Sequence, residues 1–293
     1  MSDAAAPDDL SPALLGFAGD PEQGWRATLR GRGWHFRPLR SLADLAPVDD
    51  LQRLVMGVSD YDLMPANGLV VVRETGGEVI GAFPSEGGDL AGFVIGWGGW
   101  VDGLPRILSD MLAVDPAHRN AGLGAALKRL QAGHARAAGF REVVWTVDPL
   151  RAANARLNFE KLGATARHYE TDRYGGYGAG LYGAMPTDRL HVSWRIDGAR
   201  AHGRLLGLEP PTAAAEVAGV ATFARGMAAA RALVAIPADI DALLRAEPAA
   251  ALVWRHRVRD ALLAAFAEGF TITGFAAGPE FAESGAALVL TRE

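Results

Sequence analysis

The clearest chemistry in this chain lies in Arg119-x-x-Gly122-x-Gly124. A run of alternating branched and polar residues from Ile107 precedes it. Leu123, Leu127, Leu130 and Ala137 follow at helical spacing. Strand, glycine loop and helix in that order make a seat for an anion. The first turn of a helix offers N–H groups with no intrahelical acceptor, and the helix dipole favours negative charge there. A phosphate-bearing ligand is therefore expected. A dinucleotide fingerprint would need a third glycine where Leu127 stands, and the lysine–serine pair of a Walker loop is missing.

Composition narrows the remaining chemistry. With no cysteine there is no disulfide, thiolate metal site or cysteine nucleophile. The seven histidines are scattered, with no His-x-x-x-His pair beside a glutamate, so no metal is expected. Net charge is −5, from 29 basic and 34 acidic residues with no basic stripe, which argues against nucleic acid as a partner. Hydrophobic residues make up 49% of the 293, enough for a real core, yet no long apolar run suggests a membrane span. No basic segment followed by an apolar one opens the chain. A cytoplasmic protein is expected on these grounds.

The elements that must position the loop follow from periodicity. Residues 1–32, rich in Ala, Pro, Asp and Gly, read as a loosely ordered extension. Trp34 to Leu39 reads as a strand, and Ser41 as the N-cap of a helix carrying Leu42, Leu45, Leu51 and Val55. Residues 57–68 read as a loop, while Leu69 to Arg73 suits either a strand or a helix end. Glu78 to Phe83, Leu90 to Gly96 and the strand at Ile107 form an antiparallel meander with glycine-rich turns. After the central helix Gly139 suits a C′ residue. Glu142 to Val147 reads as a buried parallel strand and Leu150 to Leu162 as a helix closed by Gly163. Thr165 to Thr171 and Leu190 to Ile196 read as strands around a Gly/Tyr-rich loop. Residues 197–230 suggest a linker. A second strand–helix–strand–strand pattern, closing at Ala287 to Thr291, suggests a degenerate half-copy or an added subdomain.

Three pieces together carry a family resemblance. They are Leu112-Ala113-Val114-Asp115-Pro116, the Arg119–Gly124 loop, and Asn154-Ala155-Arg156-x-x-Phe159-Glu160-Lys161-Leu162-Gly163. Over roughly residues 34–196 the chain resembles the GNAT superfamily of acyl-CoA-dependent N-acyltransferases, and within it a bacterial subgroup with a C-terminal extension. The resemblance implies an α+β (mixed α/β) fold with a splayed central mixed sheet flanked by helices. It implies a GNAT domain over 33–197 and a smaller C-terminal α/β subdomain over 198–293. It also implies acetyl-CoA or another acyl-CoA as co-substrate. Successive N–H groups of Arg119, Asn120, Ala121, Gly122, Leu123 and Gly124 would cradle the pyrophosphate, and the glycines would let the backbone approach it. The strand edge Leu112, Ala113, Val114 would pair with the pantetheine arm, and Asn154 would bind that arm rather than cap its helix.

For catalysis the resemblance points to Asp110 as the base that deprotonates the arriving ammonium. A strand-end carboxylate bonded to a neighbour is the plain alternative. Phe159 departs from the family, where a tyrosine often protonates the leaving thiolate; phenylalanine cannot. Tyr169, Tyr174, Tyr177 and Tyr182 are substitutes in principle. Trp97, Trp100, Tyr61 and Asp62 are candidates for the acceptor pocket, and Asp148 for an acceptor ammonium or a turn. Asp188-Arg189 suits a structural ion pair or turn, and His118 and His134 suit loop and helix-surface positions. The expected reaction is acyl transfer to a primary amine of a small molecule or amino acid. A homodimer is a further expectation, and neither nucleic acid nor membrane is an expected partner. The alternatives are N-succinylation of an amino acid, with Arg106, Arg151 or Arg173 meeting the donor carboxylate, or a non-catalytic acyl-CoA-binding sensor or scaffold.

Overall fold

A computed structural model describes residues 10–175, 185–209, 217–278, 281 and 284–292. The chain folds as two units. The first comprises Met1–Val144 and Arg195–Leu206, the second Trp145–Trp194 and Gly207–Glu293. Both are α+β.

In the first unit six antiparallel strands follow in sequence order. They are β1 (Ala18–Asp20), β2 (Gly24–Leu29), β3 (Arg32–Pro38), β4 (Glu78–Pro84), β5 (Gly92–Val101) and β6 (Leu104–Val114). Glu142–Val144, the start of β7 (Glu142–Val147), pairs with β6 in parallel through Ile107↔Val143 and Leu108↔Val144. Helix α1 (Leu42–Met56) begins at Ser41, whose side chain accepts from Asp44 N while Asp44 accepts from Ser41 N, a complete capping box. It packs with α2 (Ala66–Leu69) and the 3-10 turn Val70–Thr75 on one face of the sheet. Leu45, Val48, Leu51, Leu69 and Val72 meet Val79, Phe93, Ile95 and Ala113 there. Helix α3 (Leu123–Ala137) covers the other face. Gly92 and Gly96 of β5 lie against Leu127 and Gln131, while Phe93 and Ile95 face α1, as period-two alternation requires. Gly139, at C′, has φ +88° and ends α3.

Two expectations need correction in this unit. Residues 10–32 are not a loose extension. Leu10, Leu15, Phe17 and Trp25 are buried, Phe17 stacks edge-on with Phe36, and β2 pairs with β3 from Trp25↔Phe36 to Leu29↔Arg32. The Ala/Pro/Gly content hid a hairpin whose turn uses positive φ at Arg30 and Gly31. Of the two readings left open for Leu69 to Arg73, the helical one holds. The expected linker over 197–230 opens with helix α5 (Ala199–Leu205), part of the first unit, and the division at residue 198 does not match the two units. Composition alone read small residues as loop, while burial of Ala201, His202 and Leu205 makes them a helix.

In the second unit Trp145–Val147 of β7 lies beside β9 (Arg189–Arg195). The order continues through β8 (Thr165–Glu170), β11 (Thr271–Ala277), β12 (Gly285–Thr291) and β10 (Arg231–Pro237). The expected helix from Leu150 to Leu162 is one α turn, α4 (Ala152–Ala155), running into a π-helix, Arg156–Lys161. The later helices are α6 (Ile240–Ala246) and α7 (Pro248–Ala267), the latter with proline at its first position, where no N–H is required.

Candidate active site

The elements around Asp110 decide where it points. Ile95 pairs with Met111 and Gly96 with Ser109, which leaves Asp110 as the extra residue of a β-bulge. The bulge switches faces. Ser109 contacts α3, whereas Met111 and Ala113, on the same parity, pack toward α1. Asp110 keeps contact with solvent, and Trp97 Nε1–H donates to its Oδ2 at 3.4 Å. Enough protein surrounds the carboxylate that desolvation raises its pKa above the ordinary value, opposed by the Trp97 bond.

Beyond the bulge, Leu112, Ala113 and Val114 run straight into the loop. Asp115 accepts from Ala117 N at 2.7 Å and starts the short turn Pro116–His118. Arg119 and Asn120 are exposed, Asn120 at φ +63°, and Ala121 and Gly122 are half-buried. Gly122 is the N-cap of α3 with φ +92° and makes no side-chain cap. A side chain would be strained at that φ, so the helix begins on bare backbone. Leu123 is buried and anchors the first turn, and Gly124 follows it. The expected loop residues are therefore contiguous, with first-turn N–H groups uncapped by any side chain. The described pairs between β6 and β7 end at Leu108, before Leu112–Val114.

Residues 37–164 match the family model described as the acetyltransferase (GNAT) family. Residues 37–164 thus carry a GNAT acetyltransferase domain. Its GNAT match starts at the end of β3 and closes just after the π-helix, so it takes in Asp110, the loop and Asn154. Among solved structures, nourseothricin acetyltransferase is 27% identical over 42% of this chain and 67% of its own, with a TM-score of 0.33. For yncA from Salmonella typhimurium, solved with its cofactor acetyl-CoA, identity is 18% over 56% of this chain and 95% of its own, with a TM-score of 0.46. The ribosomal-protein-S18-alanine N-acetyltransferase from Escherichia coli is 18% identical over 57% of this chain and 96% of its own, with a TM-score of 0.43. A comparison with curated proteins finds no match.

The other candidate residues sort by their partners. Trp97 is half-buried beside Asp110. Tyr61 and Trp100 are exposed, and Asp62 accepts from Ser59 Oγ. The Tyr61 loop is tied down by the buried Gln52, which donates to Met64 O at 2.9 Å and accepts from Met64 N at 3.0 Å. Asn154 is exposed on α4, whose N-cap is Arg151, so Asn154 does not cap the helix. Phe159 is fully buried in the π-helix and packs.

Several polar candidates serve structure instead. Tyr169 donates to Asp188 Oδ2 at 2.6 Å, and burial, with Asp188 second, pushes its pKa far above the phenol range. It keeps its proton and is no substitute acid. Tyr174 is exposed and stacks with Arg173 and Arg189; Tyr177 and Tyr182 lie outside the described residues. Asp188 pairs with Arg259 at 2.7 and 2.8 Å. Asp148 is buried, accepts from Leu150 N, and holds Arg255 with both oxygens at 2.8 and 2.7 Å, so it is not available for an acceptor ammonium. The three arginines considered for a succinyl carboxylate are engaged: Arg106 with Glu142 and Asp102, Arg151 with Asp241, Arg173 with Glu170. His118 stacks edge-on with Trp34, while His134 is half-buried 3.2 Å from Glu78. Among the described residues no helix is long and apolar enough to cross a membrane, and no group of three metal-ligating side chains occurs.

Sequence reasoning missed the bulge and the buried polar row beneath it, Glu78, Gln131, Lys128 and Ser109. Lys128 and Gln131, each following a leucine on the buried side of α3, were the available signal.

Proposed function

We propose that the protein acetylates a primary amine of a small molecule or amino acid, with acetyl-CoA as donor, by direct attack in a ternary complex. The observation that carries this reading is the bulge of β6. It sets a carboxylate of raised pKa two residues before a strand edge that leads directly into the uncapped N-terminus of α3. The residues fit the co-substrate. The amides from Arg119 to Gly124 suit a pyrophosphate, and the edge of Leu112 and Val114 suits the amide-bearing arm. Bound acetyl-CoA supplies an activated thioester carbonyl. Asp110 accepts the proton of the incoming ammonium, directly or through one water, and its raised pKa brings it nearer the working pH of a base. A β6 N–H near Leu112 donates to the oxygen where charge develops. With Phe159 buried and Tyr169 committed to Asp188, the thiolate leaves without either as acid.

The test follows thiol release from acetyl-CoA against a panel of amines and amino acids, with succinyl-CoA in parallel. Acetyl-CoA should turn over with at least one amine. Asp110→Asn should lower kcat by about 10²–10⁴-fold while CoA affinity by calorimetry holds. Tight CoA binding with no turnover for any acceptor would remove the enzymatic reading. Full activity of Asp110→Asn across pH would remove the base.

A further inference from the structure

A buried polar row crosses the first unit at the level of the bulge. Glu78 of β4, Gly96 of β5 and Ser109 of β6 are successive partners in the ladder. Lys128, Gln131 and His134, each three residues apart on α3, lie over them. Lys128 Nζ donates to Ser109 Oγ at 2.7 Å and to Gln131 Oε1 at 2.9 Å. Gln131 Nε2 donates to Glu78 Oε1 at 2.9 Å. His134 Nε2 stands 3.2 Å from Glu78 Oε2. Ser109, Lys128, Gln131 and Glu78 are 5%, 2%, 0% and 4% exposed. Gly96 is a glycine for this reason: a Cβ there would lie 2.6 Å from Glu78 Oε1 and 2.7 Å from Gln131 Nε2.

A buried Lys–Glu pair yields little net stability over apolar packing of the same volume. Its position suggests another use. Ser109 is the last residue before the bulge, and α3 is the helix whose N-terminus forms the phosphate loop. We propose that Lys128 is a positioning residue for acetyl transfer: its bond to Ser109 fixes the bulge that carries Asp110 and holds that base in register with the phosphate loop. This rests on the reading of Asp110 as the base. Glu78 of β4 is the titratable group that acts on Lys128, and His134 of the same helix stands against Glu78. Asp110 faces Trp97 of β5. Burial draws the Lys128 ammonium down to about 7, against the pull of Glu78. Charged or neutral, the amine still has an N–H for Ser109, so the tether survives across the working pH range.

Ser109→Ala removes the tether at one atom, and Ser109→Thr restores the hydroxyl. Lys128→Met combined with Glu78→Gln removes the pair without leaving a buried orphan charge. Melting temperature, CoA affinity, kcat and KM, and the pH profile of kcat/KM are measured for each. Ser109→Ala and the double variant should lose about tenfold to a hundredfold in kcat, shift the acid limb of the profile, and leave CoA affinity intact, with Ser109→Thr recovering most of the rate. The proposal is overturned by a lower melting temperature with kcat and limb unchanged, or by Ser109→Thr failing as Ser109→Ala does. Should the double variant not fold, the serine pair decides. Asp110→Asn separates the two layers. If it abolishes the limb while Ser109→Ala leaves it in place, only the tether falls. If Asp110→Asn itself keeps the wild-type limb, the base falls and the tether with it.

Discussion

Asp148→Asn should destabilise the second unit severely and spare acetyl transfer. The Asp148 and Arg255 side chains are 2% and 0% exposed and share two hydrogen bonds, 2.8 and 2.7 Å. Arginine cannot shed its charge in a protein, so the variant leaves a buried guanidinium facing a neutral amide. Breaking such a pair costs about 3–5 kcal/mol. Asparagine keeps an oxygen for the Leu150 N–H, which Asp148 accepts at 2.9 Å, so the turn is retained and the loss is electrostatic. At about 2–4 °C per kcal/mol, the unit's unfolding transition should fall by roughly 6–20 °C. Replacing both partners, as Asp148→Leu with Arg255→Met, should restore most of it, because apolar pairs of similar volume are often neutral or better. Scanning calorimetry reads the transition, and thiol release well below it reads activity. Asp148 ends a parallel strand, where a ligand crevice commonly lies. An unmoved transition together with a raised KM for the amine would make Asp148 an acceptor-binding group and refute this reasoning.

Two further outcomes follow from the first unit. Gly122→Glu should cut CoA affinity by about tenfold or more, a cost of roughly 1.4 kcal/mol, since it puts an anion at the proposed seat of the phosphates. Gly122→Ala, whose Cβ would meet nothing nearer than Leu29 at 3.9 Å, is the control for φ strain, and retained CoA affinity in Gly122→Glu would place the site elsewhere. Burial raises Glu78 from 4.5 to about 8, so between those values the folded state holds a proton the unfolded state has lost. Its contribution to stability is complete below 4.5 and is lost as pH rises through about 8. Denaturant titrations from pH 5 to 8 should show this fall in the wild type and a flatter curve in Glu78→Gln; identical slopes would show that Glu78 does not titrate in that window.

The backbone of the Arg119–Gly124 loop was legible because its signal is local. Gly122 and Gly124 after a strand and before an amphipathic helix specify backbone conformation, and backbone is what an anion meets there. Ser41 and Gly139 were legible for the same reason, each ending a helix by its own side chain or φ. The β2–β3 hairpin and α5 were not, because Ala- and Gly-rich stretches become ordered only through what they are packed against, and a sequence does not display Phe17 against Phe36.

The bulge marks the limit most sharply. In unbroken alternation Ser109 and Met111 share a face, and nothing in Ile-Leu-Ser-Asp-Met-Leu says where parity breaks. What does say so is distributed over three other elements: a glycine at 96 that leaves room for the Glu78–Gln131 bond, a glutamate at 78 one strand further, and Lys128 on the helix above. Each of these looks like an ordinary misplaced polar or small residue on its own. Together they favour Ser109 on the α3 side, and once Ser109 is held there, Met111 and Ala113 can join the α1 core only if one residue is passed over. That residue is Asp110, so the same polar row that sequence reading passed by sets the aim of the carboxylate proposed as the base.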